Sequence, residues 1–170
     1  TAQLQNDTRF TPGSTGLLGL KGYLEFVTPP NSGRSSFLLT TAPVIRVYDS
    51  TGLLISNAQN TSPVRAFLSL TDTIGRGLLR GDSVEIIQQD TARFDSLRLG
   101  GIVGFQYRIA FIIDSLVTPA LESGNLTVSP GPIDPTKSSV IFSVDSAIAN
   151  GIDSVEITVL IQDIDSNKII

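Results

Sequence analysis

The sequence predicts an all-β chain built from sandwich modules, and three observations carry that expectation. Apolar residues recur with a period of two along most of the chain, the repeat of a strand and not of a helix. Clusters of Pro, Gly, Asn, Asp and Ser punctuate the periodic stretches at short intervals. No stretch of ten or more residues reads as a helix, and many short strands with close turns point to a sandwich or barrel.

Taken in order, the first periodic segments are 23–27 and 42–48, separated by the turn Pro29-Pro30-Asn31-Ser32-Gly33. Asp49-Ser50-Thr51-Gly52 closes the second. Segments 64–70, 84–88 and 92–99 follow. Over 104–113 the alternation puts Phe105, Tyr107, Ile109, Phe111 and Ile113 on one face, and Gln106, Arg108 and Ala110 on the other. Segment 124–129 precedes Ser129-Pro130-Gly131-Pro132-Ile133-Asp134-Pro135, where three prolines remove ladder donors and stiffen the chain into a module boundary. Two more strands are expected near 139–145 and 154–164, with Val155, Ile157, Val159 and Ile161 on one face. Two strands alone do not make a stable sandwich, so the second module is either cut or completed by another segment.

Composition narrows the function classes. With 41% hydrophobic residues and a mean hydropathy of +0.20, the chain can bury a core. A net charge of −4 argues against nucleic acid or an anionic membrane surface as partner. No apolar run approaches a membrane span, so membrane insertion is not expected. Charged residues are only 16%, and the polar surface is mostly hydroxyl, as suits an extracellular exterior. There is no Cys and no His, which removes disulfides, thiolate metal sites, the usual general base and every Ser-His or Cys-His nucleophile. The Glu residues are Glu25, Glu85, Glu122 and Glu156; no carboxylate pair is flanked by the aromatic residues that sugar sites favour, and Trp is absent. The expectation is a protein that is not an enzyme and needs no cofactor.

Two stretches carry a family resemblance. Leu24-Glu25-Phe26-Val27-Thr28-Pro29-Pro30, followed by Val44-Ile45-Arg46-Val47-Tyr48-Asp49-Ser50-Thr51-Gly52, resembles the opening of bacterial immunoglobulin-like repeats. Ala149-Asn150-Gly151 through Val155-Glu156-Ile157-Thr158-Val159, with Asp163-Ile164-Asp165-Ser166-Asn167, is similar to the invasin/intimin-type module. In that module's second turn a Gly is usual, and here Asp165-Ser166 stands instead. The resemblance implies tandem immunoglobulin-like β-sandwich modules: a leader or the end of a preceding module over 1–21, a sandwich over 22–130, and an incomplete second module over 131–170. It also implies a secreted, cell-surface stalk, filament or adhesin of the kind found in Bacteroidota, exported there through the type IX pathway. Its partners would be neighbouring modules or identical subunits. The alternatives are a filament subunit completed by strand exchange, and a module that binds glycan or host protein through its loops.

One local pattern stands above composition. Ten of the 12 Asp residues precede Ser or Thr, where 35 hydroxyl residues in 170 would give about 2.5 by chance; only Asp72 has one immediately before it. Eight of these continue with an aliphatic residue or Thr, which resembles the O-glycosylation acceptor motif of Bacteroidota. The implied acceptors of covalent glycans are Ser50, Thr73, Ser83, Thr91, Ser96, Ser115, Ser146 and Ser154. The competing explanation is turn chemistry, in which Asp caps its own turn. Three Asn-x-Ser/Thr sequons, at Asn6, Asn60 and Asn125, are of a length that arises readily by chance.

Three further features remain open at this level. Arg80-Gly81-Asp82-Ser83 is an RGD cell-attachment sequence, or a turn glycine between two charges. Asp163, Asp165 and Asn167 have the initial spacing of a calcium loop, the one cofactor the sequence admits, or form a plain hairpin turn. Tyr107 either packs in the core or ties its hydroxyl back to a loop, while Gly75-Arg76-Gly77 and Gly100-Gly101 read as turn glycines.

Overall fold

The computed structural model describes residues 20–56, 62–69, 77–114, 116–117 and 119–169. The chain is all-β, and among the described residues no helix occurs. The strands run β1 (Leu20–Thr28), β2 (Gly33–Arg34), β3 (Phe37–Leu38), β4 (Val44–Asp49), β5 (Val64–Leu68), β6 (Gly77–Arg80), β7 (Val84–Glu85) and β8 (Ala92–Arg93). Then come β9 (Arg98–Gly101), β10 (Gln106–Tyr107), β11 (Ile109–Ile113), β12 (Leu116–Val117), β13 (Leu121–Glu122), β14 (Leu126–Ser129), β15 (Ser139–Phe142) and β16 (Ile157–Leu160).

They form five small sheets, and none closes into a barrel. β12-β1-β4-β8 and β13-β11-β5-β7 are the four-stranded pair, with the central β1–β4 and β5–β11 pairings antiparallel. The core lies between these two. Leu24, Ile45 and Val47 come from the first; Val64, Ala66, Ile109, Phe111 and Ile113 come from the second. Phe26 and Phe111 meet edge-to-face across the gap with centroids 5.5 Å apart, and Phe94 meets Phe111 at 5.2 Å. Period-two sequence explains why these segments choose strands: in β5, Val64 and Ala66 are buried while Arg65 and Phe67 are exposed, and β14 repeats this with Leu126 and Val128.

Two expected strands break where the chain changes partners. Segment 92–99 splits into β8, on the β1–β4 sheet, and β9, which pairs with β3 and β6. Phe94 and Leu97 fill the corner and are buried. Segment 104–113 breaks at Arg108, because β10 pairs with β14 while β11 pairs with β5 and β13. This corrects the expected faces: Phe105 is exposed, and Ala110, a small residue flanked in the sheet by Phe67 of β5 and Glu122 of β13, is buried.

Gly100 and Gly101 lie in strand β9, not in a turn, and Gly77 lies opposite Gly101 in β6. A Cβ on Gly77 would come within 2.8 Å of the Tyr107 ring, and one on Gly101 within 2.6 Å. The glycine pair therefore makes the slot that the fully buried Tyr107 ring fills. Its hydroxyl accepts from the Ile102 amide at 2.7 Å and donates to the Ile102 carbonyl at 3.0 Å, tying back the loop. Gly75 and Arg76 lie outside the described residues.

β15 and β16 make a hairpin with Val140 opposite Val159 and Phe142 opposite Ile157. The alternation expected there is present, and the burial is not: Ile157 and Val159 are each 58% exposed.

Candidate functional site

Among the described residues, a cluster of buried polar side chains sits just beyond this hairpin, against the strands that precede it. It is built on the turn Asp163-Ile164-Asp165-Ser166-Asn167. An Asp whose carboxylate faces its own following amides folds the backbone into a tight turn. Asp163 Oδ1 accepts from the amides of Asp165 (3.0 Å) and Asn167 (2.8 Å). The Ser166 amide donates to the Asp163 carbonyl, and Ser166 takes φ 64°, the left-handed position a Gly usually occupies.

The turn is also tied to the Pro-rich segment and to the strands that precede it. Asp163, with no exposed surface, accepts at Oδ2 from the Gly131 amide (2.7 Å) and from Asn167 Nδ2 (2.9 Å). Asn167 Oδ1 accepts from the Val103 amide at 2.8 Å, and its Nδ2 also donates to the Gly101 carbonyl at 2.8 Å. Asp165 Oδ2 accepts from the hydroxyls of Ser35 (2.6 Å) and Ser36 (2.7 Å), while Arg80 lies 3.5 Å from its Oδ1 and donates through Nε to Ser36. The Ser35 hydroxyl also lies 2.9 Å from the Gly101 carbonyl and accepts from the Gly101 amide. With one proton to give, it favours the charged acceptor. Gly131 passes so close to Ser35 that a Cβ there would sit 2.4 Å from the Ser35 carbonyl oxygen.

The three residues considered for calcium are thus brought together, and their oxygens face hydrogen-bond donors. Calcium takes six to eight oxygen ligands. Both Asp163 oxygens are occupied by N–H groups, and among the described residues no group of three or more His, Cys, Asp or Glu is arranged to hold a metal ion. Chemically, the arrangement is a joint. Ser35, Ser36 and Gly131 complete it, and sequence reading did not find them. No local pattern marks Ser36, which is 129 residues from its partner Asp165.

The RGD sequence forms a tight turn. Gly81 has φ 79°, and a Cβ on it would lie 2.0 Å from the Ser96 carbonyl oxygen, so only Gly fits. Arg80 turns towards the joint, whereas Asp82 is exposed and faces Ser96, whose hydroxyl donates to Asp82 Oδ2 at 2.9 Å and accepts from its amide at 2.8 Å. Asp82 lines an open cleft of about 500 Å³ with Glu85, Gln88, Thr91, Arg93 and Asp95. Burial, and then the nearby charges of Asp82 and Asp95, push the Glu85 carboxyl above its ordinary value.

The candidate acceptor hydroxyls are dispersed. Ser50, Ser146 and Ser154 are exposed; Ser83, Thr91 and Ser96 are half-buried. Thr73 and Ser115 lie outside the described residues, as do Asn6 and Asn60. Turn capping explains Asp49, whose Oδ1 accepts from the amides of Thr51 and Leu53 and from the Thr51 hydroxyl, holding its pKa below the ordinary value. It does not explain Asp90, Asp95 or Asp114, whose carboxylates face Arg46, Arg93 and Arg65. The Asn125 amide donates to Gln106 Oε1.

Comparison with known proteins adds no relative: no family model, no curated protein and no solved structure matches the chain.

Proposed function

We propose that the chain is a non-catalytic structural segment of a secreted bacterial surface stalk, filament or adhesin. On this reading residues 22–130 are an immunoglobulin-like sandwich and residues 131–170 begin a second such module. The observation that carries it is the joint. A rigid rod needs its modules fixed in orientation, and from the second unit Asn167 reaches backbone groups at Gly101 and Val103 while Asp165 accepts from the Ser35 and Ser36 hydroxyls. Hydrogen bonds to a charged acceptor each contribute about 1.5–3 kcal/mol, so such a cluster resists bending. Backbone relaxation of the intact chain tests this: both units tumble with one correlation time if the joint is rigid, and independent tumbling of 139–160 removes the support.

Covalent O-glycans belong to the same reading. Among the described residues, Ser50, Ser146 and Ser154 are the exposed members of the eight candidate acceptors. Sugars there would shield strand ends and resist proteolysis. Intact mass of material from the native source is the test; a mass of the bare 18.1 kDa chain would defeat it.

A second reading, a subunit completed by another chain, is favoured by one observation. The β15–β16 hairpin carries an apolar face that nothing within the described residues covers.

A further inference from the structure

We propose that this face is a self-association surface, packing on the same face of a second copy of the chain about a twofold axis; the inference rests on the subunit reading. Register defines the face. Val140 and Val159 lie opposite each other, as do Phe142 and Ile157. The ribbon continues beyond them, since the Ser143 amide donates to the Glu156 carbonyl, and the same alternation adds Val144, Val155 and Ile161. These seven side chains are 36–58% exposed. The opposite face carries Ser139, Ser143, Glu156 and Thr158, with Ile141 exposed and Leu160 half-buried as its large apolar residues. One-sided apolarity of this kind is half of a sheet-on-sheet core. A lone two-stranded ribbon is marginal in water without a cover.

Area and charge identify the cover. The seven exposed side chains offer roughly 600 Å² per copy, so a pair buries about 1,200 Å², the lower end of what a specific stable interface needs. No charged residue lies on the face, so two copies meet without stranding an ion. Within 139–160 the only charges are Asp145, Asp153 and Glu156, all acidic, with the two Asp at the hairpin tip. Antiparallel hairpins set tip against base and keep these acids apart, and a twofold contact closes at two copies. A peptide strand added to either edge would pair the backbone and leave most of this face in water.

Sedimentation velocity of the intact chain, from roughly 1 to 100 µM, reads the association directly. The expected result is a monomer–dimer equilibrium. Phe142→Asp should weaken it by roughly a hundredfold, because the carboxylate would be buried unpaired. Ile141→Asp, on the opposite face, should leave it unchanged. Both sites are more than half exposed, so neither change disturbs the core. A monomer at every concentration overturns the proposal and the subunit reading together. A dimer that survives Phe142→Asp, or that Ile141→Asp weakens equally, overturns the face. A ladder of larger oligomers overturns the closed twofold pair while leaving strand-exchange assembly standing.

Discussion

Replacing Asp163 by Asn keeps the volume and shape of the side chain, so its effect isolates hydrogen-bond chemistry from packing. The carboxylate accepts four N–H groups, two at each oxygen: Gly131 and the Asn167 side chain at Oδ2, Asp165 and the Asn167 amide at Oδ1. Whichever oxygen becomes NH₂, two donors then face a donor. At about 1.5–3 kcal/mol for each lost bond to a charged acceptor, the joint loses about 3–6 kcal/mol. The loss is local. The core around Phe111, Ile45 and Leu99 makes no use of Asp163, so global unfolding should move less than local opening. Amide hydrogen exchange is the assay. The amides of Gly131, Asp165 and Asn167 should open more than about a hundredfold more often, while those of β5 and β11 keep their protection. A change below tenfold at all three amides would refute Asp163 as the group that holds this turn in place.

Other consequences follow from the same geometry. Tyr107→Phe removes the hydroxyl that ties Ile102 and should cost about 1–2 kcal/mol in denaturant unfolding. Gly101→Ala forces a Cβ against a ring with no room to swing and should cost about 1–3 kcal/mol or more by the same measurement. Glu85 holds its proton more tightly folded than unfolded, so stability falls as pH rises from the usual Glu value of 4.5 through the raised one. Glu85→Gln should flatten that part of the stability–pH curve; an unchanged slope would remove the cleft's charge coupling. Asp49 and Asp134 are shifted the other way by their Thr51 and Thr136 hydrogen bonds. Their contribution is complete above the usual Asp value of 3.8 and is lost as pH falls through the lowered one, which titration of Asp49→Ala against the parent chain reads.

The all-β class, most strand positions, and the Tyr107 loop tie as one of two stated options are legible in the residue order alone. These are local properties: a two-residue period decides which side chains share a face whatever lies beyond it, as Val64 and Ala66 or Leu126 and Val128 illustrate. Residue order also marks Asp163, Asp165 and Asn167 as a turn. What that turn does emerges only in the folded chain, because Ser35, Gly101 and Val103 reach it from more than 60 residues away and no spacing encodes such a meeting. The same holds for the strand breaks at Phe94 and Arg108, set by a change of sheet partner, and for Gly77 and Gly101, whose need is visible only once the Tyr107 ring lies between the strands. Burial of the last hairpin was unreadable for the same physical reason: alternation fixes which face is apolar, and whether water touches that face depends on a second surface that the strand's own residues do not specify.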